Sequence, residues 1–170
     1  DNSAGSFGIG KNAPFAYSAL NLVFYNTLAK DGGRAFEGVA RLVTTQREYN
    51  GSMRKTQPIG KYLYLQDEYT GRPILPTDDC DLAKIDVFNR TEIGTDVAVV
   101  GFKKDDYDDW EEKTAVAIIK NFILSIINGK IDVAIKSPRA LYEIRKDTVE
   151  DLLFKTFAED PQLKYTRQIY

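Results

Sequence analysis

Gly5-Ser6-Phe7-Gly8-Ile9-Gly10-Lys11-Asn12, running straight into Ala13-Pro14-Phe15-Ala16, is the stretch on which the fold turns. Glycines let a backbone pass close to a ligand and take positive φ. A helix opening directly after them, with Pro14 in its first turn, aims successive N–H groups at an anion. Lys11 adds a full positive charge. The segment reads as a phosphate-gripping loop whose contacts would come from Gly5, Ser6, Phe7, Gly8, Ile9, Gly10, Lys11 and Asn12. The plain alternative is a glycine-rich turn that merely enters a helix.

Working outward, Ala13 to Leu20 reads as a short helix and Leu22-Val23-Phe24-Tyr25 as a strand. A turn at Asp31-Gly32-Gly33 leads to a second strand through Phe36, Val39, Leu42 and Val43, so the two form a hairpin. Residues 48 to 60 are polar and read as a loop, Tyr62 to Leu65 as a short strand, and Asp67 to Asp81 as a surface excursion. Asp81 to Phe88 is a helical turn or two. Gly94-Thr95 opens the nearly continuous apolar run Val97 to Phe102, the pattern of a buried strand. Ala115, Ile118, Ile119, Phe122, Ile123, Ile126 and Ile127 recur at helical spacing, with Gly129 just past the end. Ile131 to Ile135 and Leu141 to Ile144 are further strands, and Val149 to Phe157 a last helix. The sum is an α+β fold: a two-layer sandwich of a mixed or antiparallel sheet with helices on one face.

Composition narrows the chemistry. The 170 residues are 43% hydrophobic, enough for one well-buried core. The net charge of −2, with acids and bases interspersed, argues against a dedicated nucleic-acid clamp and leaves DNA as a partner of other regions of a longer polypeptide. Cys80 is the single cysteine, so an intramolecular disulfide is excluded and a cytoplasmic location is expected. No run approaches the roughly 20 apolar residues of a membrane span. Histidine is absent, which removes Ser-His and Cys-His nucleophilic systems and imidazole bases. The chain opens on Asp1, with its one methionine at Met53, and reads as trimmed from something longer.

Gly5, Gly10 and Lys11 fit the P-loop pattern G-x-x-x-x-G-K, but Asn12 stands where a Ser or Thr hydroxyl would meet Mg²⁺. The buried strand that should precede such a loop is also missing from Asp1-Asn2-Ser3-Ala4. GSFGIGKNAPFA instead resembles the G-x-x-G-x-G box of GHKL (Bergerat-fold) ATPases, which ends the ATP lid and begins a helix holding the triphosphate. Arg90-Thr91-Glu92-Ile93-Gly94-Thr95 looks like that family's second box, so by resemblance Thr95 helps hold the adenine end. Together with LVFYNT and NFILSIINGKIDVAI, these segments are most similar to the MORC-like and MutL-like branch associated with bacterial restriction-modification and anti-phage defence.

The resemblance implies a Bergerat-like domain with its N-terminal part missing. Residues 1–136 would supply lid, phosphate box and sheet, and 137–170 an extension of that domain or the start of a following region. It implies ATP with Mg²⁺ as ligand, ATP hydrolysis in the intact protein, and ATP-gated homodimerisation. The family's Mg²⁺-binding asparagine, adenine-binding aspartate and catalytic glutamate come before the lid, so this chain alone is expected to be inactive and to contain no catalytic residue or metal ligand. A P-loop NTPase, and a non-catalytic interaction module that kept the fold, stay open. Asp105-Asp106-Tyr107-Asp108-Asp109 reads as the acidic entry to the long helix, Asp108 and Glu111 having capping-box spacing. Lys103 and Lys104 are expected to face water.

Overall fold

The computed structural model describes residues 12–67, 70–78, 89–103 and 108–170. The chain is α+β, with antiparallel sheets and short helices, and divides into two compact units after Lys103.

The first unit opens with helix α1 (Ala13–Ala16), Pro14 lying in its first turn. It is half the length that Ala13 to Leu20 suggested, because strand β1 (Ser18–Leu28) claims the following residues. The strand pairs that flank Ala19 and Leu20, Ser18 with Phe102 and Leu22 with Val100, outweigh their helix propensity. The start of β1 is irregular: Ser18 pairs with Phe102 but Leu22 already with Val100. The fully buried Ser18 hydroxyl closes this bulge, donating to the Val100 carbonyl at 2.5 Å and accepting from the Leu22 N–H at 3.1 Å.

Strand β2 (Arg34–Arg41) returns antiparallel to β1, with Val23 opposite Val39, so the expected hairpin is present. Strands β3 (Gln46–Tyr49) and β4 (Ser52–Lys55) form a separate ribbon where a loop was expected. All eight residues are exposed, which is why no apolar alternation marks them in the sequence. Strand β5 (Ile59–Tyr62) pairs with β2, followed by the short pair β6 (Tyr64–Leu65) and β7 (Gly71–Arg72). Strand β8 (Gly94–Phe102) completes the main sheet, whose order is β5-β2-β1-β8 with every pairing antiparallel. Phe15, Val23, Leu28 and Ile74 are buried, and Phe24 stacks on Phe36 with ring centres 5.5 Å apart. The Val97 to Phe102 run is not the doubly buried strand it resembled. Val97 is 47% exposed and Phe102 42%, since β8 has a partner on one side only among the described residues.

The second unit is built on α2 (Trp110–Ile127), whose Ala115, Val116, Ile119, Ile123 and Ile126 form the buried stripe. Gly129 follows with φ +64°, as its position past the helix end suggested. Strands β9 (Val133–Lys136) and β10 (Leu141–Ile144) pair with Ile135 opposite Tyr142. Helix α3 (Val149–Asp151) continues into a π-helical turn over Leu152–Thr156, where Phe157 N–H reaches back five residues to the Leu152 carbonyl at 2.8 Å. A 3₁₀ turn (Pro161–Leu163) and α4 (Lys164–Ile169) end the unit. Ile144, Val149, Leu152, Leu153, Phe157 and Leu163 share one core with the α2 stripe and Ile135, so residues after 136 are integral to the unit that holds α2. Trp110 packs, partly buried, against that core. The capping box is not made: Asp109 caps α2 without a side-chain hydrogen bond, and Glu111 turns to Arg139 instead, at 3.0 Å.

Candidate functional site

Gly5, Ser6, Phe7, Gly8, Ile9, Gly10 and Lys11 lie outside the described residues, as does the Asp81 to Phe88 segment. The description of the loop begins with Asn12, the residue that precedes α1. Its amide oxygen accepts a hydrogen bond from Arg41 Nη2. The same guanidinium lies over the Phe15 ring, its carbon 4.7 Å from the ring centre. Arg41, the last residue of β2, thus braces the start of α1 through one polar and one cation–π contact. Lys103 anchors the other end of that helix: its backbone N–H donates to the Tyr17 carbonyl at 3.1 Å and its ammonium to the Ala16 carbonyl at 3.3 Å. Two cations therefore flank α1 where the sequence offered only Lys11. Arg41 escaped the reading because nothing local ties a strand-ending arginine to a residue 29 positions earlier. Lys103 is exposed, as expected, and makes these two contacts from the surface.

Thr95 sits in a different polar group. It faces Thr27 across the β1–β8 pair, the two hydroxyl oxygens 2.9 Å apart. One residue on, Asp96 forms an ion pair with Arg90 and accepts from the Asn26 amide at 3.4 Å. Arg90 also donates to the Ile93 carbonyl at 3.3 Å, and its Nε is buried without a hydrogen-bond partner among the described residues. Gly94, with φ +141°, lies directly beneath this guanidinium: a Cβ there would stand 2.5 Å from Arg90 Nη2. The Gly-Thr pair thus has a local structural reason, the close passage of Arg90 over the backbone.

Asn12 and Thr95 are not brought together. Thr95 is level with Thr27 and with Ala35 of β2, whereas Arg41, which holds Asn12, is six residues farther along that strand. At about 3.3 Å per residue the separation is roughly 20 Å.

Two members of the acidic runs, Asp78 and Asp109, form ion pairs. Asp78 accepts from both terminal nitrogens of Arg72 at 2.6 Å and from the Leu75 N–H at 2.7 Å. The Arg72 guanidinium, then the Leu75 amide, hold its carboxyl down at about 2. Asp109 is lowered by Lys113, 2.8 Å away. Glu111 is lowered first by the Ser137 hydroxyl and, more weakly, by Arg139.

Compared with known proteins, the chain matches no family model, no curated protein and no solved structure. Among the described residues no helix is long and apolar enough to cross a membrane.

Proposed function

We propose that this chain is the phosphate-binding part of a GHKL-type ATPase of the MORC-like, defence-associated kind, with a Bergerat-like sheet. One observation carries the preference over a P-loop: the helix after the glycine loop has four residues and leads into an antiparallel hairpin, with the Gly-Thr strand β8 antiparallel to β1. A P-loop helix belongs to a crossover between parallel strands. In the GHKL reading the backbone N–H groups of Gly8, Ile9, Gly10 and Lys11 meet the triphosphate, Lys11 supplies charge, and Asn12 and Arg41 fix the exit of the loop. Mg²⁺ would be held by upstream residues, and nucleotide binding would drive homodimerisation of the intact protein.

The Thr95 role is the weaker half of the proposal, because its hydroxyl already pairs with Thr27 and stands roughly 20 Å from Arg41. That separation favours, as the second reading, an interaction module that keeps the fold without a nucleotide site. Calorimetric titration of Mg·ATP into this chain and into an upstream-extended version, each with Lys11→Ala and Arg41→Ala variants, separates the two. Binding in the extended form that Lys11→Ala weakens about tenfold or more, a loss of ~1.4 kcal/mol, supports the GHKL reading. Equal, Lys11-dependent binding in both forms favours the P-loop. Absence of binding in the extended form leaves the interaction module.

A further inference from the structure

We infer that the β3–β4 ribbon is a docking element for duplex DNA. The observation is a local charge excess that the totals conceal. Residues 41–62 contain Arg41, Arg47, Arg54, Lys55 and Lys61 against Glu48 alone, a net +4 inside a chain of net −2; the remainder therefore carries −6. The ribbon bears the centre of this excess on two strands whose residues are all exposed.

Its faces are unlike. Register puts Arg47 directly opposite Arg54 and Tyr49 opposite Ser52, so these four residues share one face. Glu48 and Met53 point the other way. Among the described residues neither Arg47 nor Arg54 is paired with a carboxylate. Like charges directly opposite in a sheet repel, so an anionic partner laid across this face would be bound by both arginines and relieve that repulsion. Arg54 is also positioned: its guanidinium carbon lies 5.2 Å from the centre of the Tyr49 ring.

The frame is firm enough to present that face. Asn50 and Gly51, with φ of 51° and 74°, form the tight two-residue turn that matches strand twist. At the base Thr56 N–H donates to the Thr45 carbonyl and Thr45 N–H to the Thr56 hydroxyl, both at 2.8 Å. A two-stranded ribbon fits the B-form major groove, about 12 Å wide, and arginine forks suit phosphate oxygens and guanine edges. The deep, narrow major groove of duplex RNA does not admit it. An Asn-Gly tip is polar, unlike an element that enters lipid.

The test is fluorescence anisotropy of a labelled 24-base-pair DNA duplex of arbitrary sequence, titrated with the full chain from 50 to 200 mM salt. Three variants accompany the wild type: Arg47→Ala/Arg54→Ala, the charge-keeping Arg47→Lys/Arg54→Lys, and Lys130→Ala/Lys136→Ala, an exposed pair of the second unit. We expect salt-dependent binding that the alanine pair weakens at least tenfold, its slope of log K against log salt shallower by about 2. The charge-keeping pair should keep most of that slope and the second-unit pair all of it. Circular dichroism confirms that each variant is folded. Four results overturn the inference: no binding at 50 mM salt, unchanged binding in the alanine pair, an equal loss in the second-unit pair, or tighter binding to anionic phosphatidylserine vesicles than to the duplex. The inference stands apart from the ATP reading, since neither arginine belongs to the loop.

Discussion

Asp78 shows how much a single carboxylate can be committed. Two parallel contacts from Arg72 and one from the Leu75 amide all favour its charged form, and Tyr64 lies under the same arginine with its ring centre 4.4 Å from the guanidinium carbon. Its folded pKa of about 2 lies below the ordinary 3.8, so the contribution to stability is present above 3.8 and is lost as pH falls towards 2. Urea midpoints at pH 5, 3 and 2 should fall more steeply for the wild type than for Asp78→Asn, which has no such proton to take up. Identical pH profiles would remove the ion pair from the account of stability. The sequence made Asp78 look like part of a surface excursion, because the arginine that fixes it is recognisable only once β7 has formed. The same limit hid Arg41 beside Asn12 and Arg90 over Gly94. Residue types were legible; side-chain partners set by tertiary approach were not.

Elements with a strong period were read well. The 3.6-residue repeat of α2 and the glycine past its end located it closely, and the β1–β2 hairpin followed from its turn residues and apolar content. Those decided by neighbours were not. Ala19 and Leu20 joined a strand as the bulge between the Ser18–Phe102 and Leu22–Val100 pairs, and the polar ribbon had no core face to announce it. Within the sheet, Gly38 marks a close approach: a Cβ there would lie 2.6 Å from Phe24 Cε1 and 3.0 Å from Tyr62 Cβ. The Phe24 ring is stacked on Phe36 and cannot simply swing away. Gly38→Ala should therefore destabilise by about 1–3 kcal/mol in urea titrations followed by far-UV circular dichroism. In a Phe24→Ala background the same change should cost clearly less; an equal cost would mean that the ring is not what it meets.

At the scale of the whole chain, the α+β class was legible, whereas the division after Lys103 was not: no composition shift accompanies it, and the core residues of the second unit come from both sides of position 137. Trp110, the single tryptophan, packs against that core and reports on it directly. Ile126 is fully buried at its centre. Ile126→Ala should lower stability by about 2–5 kcal/mol, read as an earlier urea midpoint in Trp110 fluorescence. A shift under about 1 kcal/mol would mean that the second unit is not packed around α2.

Strand β8 closes one side of the main sheet, and among the described residues its far side has no partner. Along β8, with Val97 to Val100 at its centre, the outward-facing N–H and C=O groups of that side meet no strand among the described residues. Such a row is a template that does not discriminate between a foreign strand and another copy of itself. In crowded or partly unfolded preparations this segment is where chains would begin to add to one another in register, since the charge of Asp96 is already taken up by Arg90.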